Sequence, residues 1–80
     1  MMKQLTTGDH VIIRAVYAKG VKPKFTADIC TDTDYVGTTG IIDDIKGDQA
    51  LVTIALAHIN GQPVHGSHKL IFAVGMLEAR

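Results

Sequence analysis

Six residues in the first third of the chain have the chemistry of a partner-binding surface. Lysine and arginine neutralise phosphates, and aromatic rings stack on nucleic-acid bases. The group therefore predicts a surface that binds a nucleic acid or a protein. The alternative interpretation is a solvated loop with two aromatic side chains in the core. The six residues are Arg14, Tyr17, Lys19, Lys22, Lys24 and Phe25.

Three histidines, His58, His65 and His68, lie close together in the sequence. A metal site needs neutral imidazoles that converge from suitable faces. In a strand His65 and His68 point to opposite sides unless Gly66 makes a bulge, and no adjacent cysteine or aspartate completes a tetrahedral set. We therefore expect surface or half-buried histidines on a hairpin, and no metal site.

The aspartates form two short clusters, Asp32 with Asp34 and Asp43 with Asp44, whose carboxylates are suited to hard cations. Full EF-hand spacing is absent, however, and aspartates in turns bond nearby backbone groups. We therefore expect turn chemistry and a solvated strand edge. Cys30 belongs to no Cys-His-Asp arrangement that the sequence reveals. We expect a non-enzymatic protein without a cofactor.

Length and composition predict one folded domain over residues 1–80. Hydrophobic residues make up 46% of the chain and charged residues 20%, which excludes a disordered chain. The single cysteine excludes an intrachain disulfide and indicates a reducing or an indifferent compartment. Because no apolar run has the length of a signal peptide or of a membrane span, we expect a cytoplasmic protein with no membrane contact.

Charge is balanced overall but is distributed unevenly. The chain has eight Lys plus Arg and eight Asp plus Glu, so it has no net basic field for tight, non-specific nucleic-acid binding. We therefore expect a protein partner rather than a nucleic acid. Residues 1–24 carry five cations against Asp9, whereas residues 28–48 carry six aspartates against Lys46. The two segments are expected to pair across a sheet.

The first half of the chain predicts one strand followed by a long loop. β-Branched residues and alternation indicate a strand over residues 10–18. Gly20 and Pro23 then interrupt the chain, and the loop 19–35 contains a short strand over residues 25–30. This loop exceeds the usual connection of about 4–6 residues, and long loops on rigid barrels often carry binding sites. We therefore place partner binding in the loop 19–35 and the adjoining strand.

The second half predicts a central hairpin over residues 37–54, with its turn at Gly47-Asp48. The apolar alternation breaks near Asp43-Asp44, which indicates a bulge. A 3₁₀ turn over residues 73–75 and a final strand over residues 76–80 complete the chain. Five or six short strands with glycine-rich turns predict an all-β fold, a small and partly open barrel with a long loop after strand 1.

A second hairpin is predicted at Asn60-Gly61, a sequence that favours a type I′ turn. Its register would place Leu56 opposite His65 and Thr53 opposite His68.

The order of these elements resembles an SH3-like barrel. The resemblance rests on residues 8–14, the long loop, residues 37–45 and the closing residues 72–78. The segment Gly37-Thr38-Thr39-Gly40-Ile41-Ile42 is similar to the KOW motif of ribosomal and transcription-elongation proteins, whose glycines let a loop pass close to RNA or to a protein. KOW proteins place basic residues around this motif, whereas Asp43, Asp44 and Asp48 follow it here.

Two other groups with this barrel are similar to the chain. In the accessory subunit of photosystem I, a strand like residues 51–54 runs on to an Asn-Gly turn. In the plasmid-borne, trimethoprim-resistant dihydrofolate reductase, the tail is similar to residues 70–78. A glutamine and a tyrosine of that strand face the substrate pore of the reductase. Since Leu70 and Phe72 stand at these positions here, the resemblance does not carry the activity over.

The sequence thus predicts a non-enzymatic interaction module and leaves two alternatives open. One is a structural or assembly subunit that forms a homo-oligomer through exposed apolar strand faces, with Ile12, Val16 and Leu51 as candidates. The other is an enzyme that builds its site at an oligomer pore, as the reductase does.

Overall fold

The computed structural model describes residues 4–80 and, within them, every side chain except those of residues 56–58, 63, 65 and 67. Two 3₁₀ turns lie over Thr33–Tyr35 and Val74–Met76. The strands are β1 (His10–Ile13), β2 (Asp28–Ile29), β3 (Thr39–Lys46), β4 (Gln49–Ile59), β5 (Gln62–Ala73) and β6 (Leu77–Ala79).

All six strands belong to one sheet in the order β2-β5-β4-β3-β1-β6. β2 pairs with β5 in parallel, and the other neighbours are antiparallel. The sheet curls without closing, so β2 and β6 are its edges. The predicted all-β, partly open barrel with a long loop after the first strand is thereby confirmed. None of the described residues belongs to a helix that is long and apolar enough to cross a membrane.

Alternation along the strands builds the core, because every second side chain faces inward. In β1, Val11 and Ile13 are fully buried while Ile12 lies on the other face. The largest side chain of the core is Phe72 in β5, which has no exposed surface. Burying a side chain of this size stabilises the fold by about 1.5–3 kcal/mol. The core cluster consists of Val11, Ile13, Cys30, Ile42, Ala50, Val52, Ile54, Leu70, Phe72 and Leu77.

The first strand is shorter than the pattern predicts, since β1 ends at Ile13 rather than at residue 18. Beyond it, the Arg14 N–H donates to the Met76 carbonyl at 2.8 Å, and the Tyr17 N–H donates to the Cys30 carbonyl at 3.0 Å. The backbone therefore leaves the ladder with β3 and bonds to the second 3₁₀ turn and to the loop. The predicted strand over residues 25–30 likewise shortens to the two residues of β2, which pair with β5.

The central hairpin has the predicted turn and bulge. Gly47 has a φ of 59°, a conformation that glycine adopts without steric cost. Ile42 lies opposite Val52 and Asp44 lies opposite Leu51, so Asp43 is the additional residue of a bulge in β3.

The second hairpin has the predicted turn but a different register. Asn60 and Gly61 have φ values of 52° and 77°, as a type I′ turn requires. However, His65 pairs with Ala55 rather than with Leu56, and Thr53 pairs with Lys69 rather than with His68. The predicted register is wrong because the pairing shifts twice between residues 53 and 57, which the turn alone does not reveal.

Candidate partner-binding surface

Four of the six predicted binding residues meet at the turn between β3 and β4, where three residues of that hairpin complete the group. Hydrogen bonds, an ion pair and a cation–π contact connect six of these seven residues. The seventh, Tyr17, is included because the charge of Asp48 raises the pKa of its phenol. We call it the turn-side surface. Its members are Tyr17, Lys22, Lys24, Phe25, Lys46, Asp48 and Gln49.

Gln49, the first residue of β4, fastens the loop to the sheet. It is buried, with 4% of its surface exposed. Its Nε2 donates to the Lys22 carbonyl at 2.8 Å, and its Oε1 accepts from the Lys24 N–H at 2.8 Å. A buried amide needs such partners, and these two flank Pro23, which has no N–H of its own. One side chain therefore holds the backbone on both sides of Pro23.

Nothing in the sequence marks Gln49 as an anchor, because a glutamine after a Gly-Asp turn is typical of a solvated strand start. Its role depends on where the loop backbone runs, and the two contacts join residues 25 and 27 positions apart. Local patterns do not encode that path.

An ion pair joins Lys24 to Asp48, with 3.0 Å between Nζ and Oδ1. The hydrogen bond from Lys24 and its positive charge hold the pKa of the Asp48 carboxyl below its usual range. Both side chains are exposed, so the pair contributes little to stability. It joins the basic segment to the acidic segment, but between the loop and a turn rather than across the sheet as predicted. The pair reduces the positive charge that Lys24 presents to a partner.

Two aromatic residues provide apolar area on the turn-side surface. The Phe25 ring is half-buried, and the Nζ of Lys46 lies 4.9 Å from its centroid in a cation–π contact. The same Nζ donates to the Lys24 carbonyl at 3.4 Å. A tyrosine phenol is protonated at neutral pH, and burial, followed by the charge of Asp48, raises the pKa of Tyr17 further. The phenol is thus a hydrogen-bond donor on this surface.

Arg14 and Lys19 do not join the contacts of the turn-side surface. The Arg14 Nε lies 2.5 Å from the Glu78 carboxylate, so Arg14 joins the end of β1 to β6. Lys19 is exposed in a turn with Gly20, whose φ of 92° accounts for the glycine.

The glycines of the KOW-like segment have internal roles. A Cβ on Gly40 would lie 2.5 Å from Cγ1 of Val52 and 2.8 Å from the carbonyl oxygen of Thr53. Gly40 is therefore required by the packing of β3 on β4. Gly37 has a φ of 91° in the turn that precedes β3. The packing at Gly40 and the backbone conformation at Gly37 explain why these positions are glycine, without a bound RNA.

Two of the aspartates suggested as cation ligands, Asp32 and Asp44, accept backbone hydrogen bonds within the chain. The Asp34 N–H donates to Oδ1 of Asp32 at 2.9 Å, and the Ile45 N–H donates to Oδ1 of Asp44 at 2.8 Å. Over residues 4–80, apart from the six side chains outside the description, no group of three His, Cys, Asp or Glu could hold a metal ion. The side chains of His58 and His65 are among those six.

Asp43, the bulge residue, is part of a small polar network on the outer face. Burial raises the pKa of its carboxyl, but the hydrogen bonds and the charge that it receives outweigh burial and hold the pKa below the usual range. The donors are the Nζ of Lys69 at 2.8 Å and the Oγ1 of Thr53 at 2.6 Å. Asp43 therefore ties β3 to β4 and β5.

Cys30 belongs to the core. It is 2% exposed, and its Sγ donates to the Asp32 carbonyl at 3.8 Å. Burial raises the pKa of its thiol, which disfavours the thiolate that nucleophilic chemistry needs. Cys30 is therefore a small apolar residue of the barrel.

At its other end the loop borders a cavity of about 390 Å³ that the sequence did not indicate. The ring of Tyr35 stacks on the ring of His68, and their hydroxyl and Nε2 atoms are 3.2 Å apart. Only tertiary structure brings these residues together, since 33 positions separate them. The cavity is lined by Asp32, Asp34, Tyr35, Thr38, Ile54, Ala55 and His68.

The residues predicted for assembly fall into two groups. Val16 is half-buried and packs on the core cluster, so it already has an internal role. Ile12 and Leu51 are half-buried and alternate with core residues of β1 and β4, which places them on the outer face of the sheet. Of the three residues predicted for assembly, Ile12 and Leu51 are therefore the ones that lie on that face.

Comparison with known proteins gives no matching family model, no matching curated protein and no matching solved structure. The function proposed below therefore rests on the geometry of the loop and the sheet.

Proposed function

We propose that the chain is a non-enzymatic interaction module that binds a protein partner through the loop 19–35. The observation that carries this proposal is the anchoring of the loop by the buried Gln49 side chain. Ordering a flexible loop on binding costs free energy, and a loop that is already held in place avoids part of this cost. The turn-side surface is thus preformed, and its half-buried aromatic rings belong to the residue types that are enriched at protein interfaces.

The charge of the loop favours a protein over a nucleic acid. Lys24 is paired with Asp48, and Asp32 and Asp34 lie on the same loop as Lys22. A phosphate backbone would meet the Asp48 carboxylate next to Lys24, and with zero net charge the chain has no overall field to compensate. A protein surface of mixed charge can match such a pattern.

Site-specific photocrosslinking tests the proposal. A photoreactive amino acid replaces the exposed Lys19 in the loop, and in a separate variant it replaces the exposed Arg80 as a matched control. We expect the loop variant to crosslink to a discrete protein in a lysate of the source cells. An excess of unlabelled wild-type chain should abolish the adduct, and an excess of the Lys22→Glu chain should compete less well.

The competition experiment has a matched control variant. Arg80→Glu changes the charge as much as Lys22→Glu does and should compete like the wild type. Equal crosslinking from both positions, or an adduct that nuclease removes, would contradict the proposal. The second outcome would favour a nucleic-acid partner.

An assembly subunit is the second candidate, and the outer face of the sheet favours it. Ile12 and Leu51 lie on this face and are half-buried, so each still exposes apolar surface of the kind that homo-oligomers bury. Ile71, which pairs with Leu51, has no exposed surface and is already covered within the chain. Light scattering coupled to size exclusion measures the mass directly. A mass equal to the 8.6 kDa monomer at every concentration would contradict assembly.

A further inference from the structure

The cavity beside Tyr35 lies at the end of the loop opposite to the turn-side surface. Its volume of about 390 Å³ falls within the range of small-ligand sites, about 300–1,000 Å³. It is open to solvent, and Ile54 of the core is among the residues that line it. The cavity is therefore large enough for one long side chain of a bound protein.

One wall of the cavity is aromatic. The centroids of the Tyr35 and His68 rings are 6.2 Å apart, with an angle of 28° between their planes. The contact between the Tyr35 hydroxyl and Nε2 of His68, at 3.2 Å, keeps the two rings in register. Tyr35 also packs on the core cluster, which restricts its motion. The faces of aromatic rings attract cations and planar guanidinium groups.

The rim of the cavity is acidic. Asp32 and Asp34 are both exposed, and Oδ1 of Asp32 accepts the Asp34 N–H. Among the side chains that the structure describes, no lysine or arginine forms an ion pair with either carboxylate. The rim thus places negative charge beside aromatic faces. This combination is complementary to a cationic side chain that can stack on a ring.

We propose that the cavity binds an arginine side chain of the protein partner, and this inference rests on the proposed function of the loop. The guanidinium group would stack on the Tyr35–His68 wall and donate to the carboxylates of Asp32 and Asp34. Arginine fits better than lysine because its planar group can stack and donate at the same time, whereas an ammonium group is a compact, strongly hydrated charge. The partner segment is therefore basic at this position.

A titration of the isotope-labelled chain of residues 1–80 with N-acetyl-arginine amide, followed by NMR, tests the cavity without the natural partner. We expect saturable shifts of the amides of Tyr35, Thr38, Ile54 and Ala55, with a Kd in the millimolar range because the ligand is a single residue. N-acetyl-citrulline amide has nearly the same shape without the charge and should bind at least about fivefold more weakly. N-acetyl-lysine amide should also bind more weakly.

Two variants localise the effect. Asp34→Asn removes one rim charge and should weaken arginine binding by about fivefold. Asp28→Asn makes the same change on an exposed aspartate of β2 that does not line the cavity, and it should leave the Kd within about twofold. Tyr35→Phe keeps the ring and should retain most of the affinity, which separates stacking from the hydroxyl contact.

The assignment would be overturned if the citrulline amide bound as tightly as the arginine amide, or if the lysine amide bound more tightly. It would also be overturned if Asp34→Asn and Asp28→Asn lost the same affinity for arginine, or if the amide chemical shifts changed over the whole surface. The titration with arginine does not depend on the photocrosslinking experiment at Lys19. If arginine binds in the cavity while Lys19 gives no adduct, the proposed function fails and the cavity assignment stands. If the adduct forms without arginine binding, only the cavity assignment fails.

Discussion

The substitution Gln49→Ala gives the sharpest test of how the loop is held. The change removes one donor and one acceptor and leaves the Lys22 carbonyl and the Lys24 N–H without their side-chain partner. Each of these hydrogen bonds contributes about 0.5–1.5 kcal/mol, so the expected loss in the free energy of unfolding is about 1–3 kcal/mol. Both bonds are partly buried, which limits replacement by water.

This loss is large for a chain of 80 residues. At about 0.05–0.15 kcal/mol per residue, the whole fold is stable by about 4–12 kcal/mol. In a domain of this size, 1 kcal/mol lowers Tm by about 4–8 °C, so Gln49→Ala should lower Tm by about 4–24 °C. Urea denaturation measures the free energy, and a lower midpoint with an unchanged slope would show that stability rather than the extent of unfolding has changed.

Hydrogen exchange locates the effect and supplies the refutation. The Lys24 amide should lose protection in Gln49→Ala beyond the global decrease, while amides of β3 should change only by the global amount. Gln62→Ala is the matched control, since Gln62 is exposed, and it should change stability by no more than about 0.5 kcal/mol. Equal midpoints for the two variants, or unchanged exchange at Lys24, would refute the anchoring role of Gln49.

Three further predictions concern the sheet and its turns. Gly40→Ala should destabilise the fold by about 1–3 kcal/mol in thermal melts because its Cβ would overlap β4, whereas Gly75→Ala, with open space around it, should change stability by less than about 0.5 kcal/mol. The folded protein holds the pKa of Asp43 below its usual value, so the stability that Asp43 provides is present above about pH 4 and is lost as the pH falls through the folded-state pKa. In Asp43→Asn, the midpoint of urea denaturation should therefore fall less steeply with decreasing pH than in the wild type. In Asp44→Asn, it should fall as steeply as in the wild type. Asn60→Ala should cost about 1–2 kcal/mol because Asn60 has a φ of 52°, and Asn60→Gly should be nearly neutral; equal costs for both would contradict the turn argument.

Local chemistry in the sequence determined much of the fold. Alternation of apolar residues specifies which side chains face inward, and the break near Asp43 predicted the bulge because a bulge shifts the alternation by one residue. The turn at Asn60-Gly61 was predictable because few residues adopt positive φ. These signals are local, since each depends on residues that are neighbours in the chain.

Other features of the fold depended on pairings that local patterns do not carry. The first strand ends at Ile13 because Arg14 and Tyr17 bond to distant backbone groups instead of β3. The register of the second hairpin shifts by an irregularity that its turn does not impose. The apolar alternation of a strand specifies which face of the sheet each side chain lies on. The length of the paired segment depends instead on whether a partner strand lies beside each residue.

The candidate sites likewise combine features that local sequence predicts with features that only long-range contacts determine. The sequence by itself determined an all-β chain with balanced charge and a long loop that carries lysines and aromatic rings. Only the tertiary structure decided that Gln49 anchors this loop, that Lys24 is paired with an aspartate, and that Tyr35 meets His68 beside an acidic rim. The physical reason is distance along the chain: these contacts join residues 24 to 33 positions apart. Their formation depends on the loop path and strand register, which the packed barrel sets as a whole.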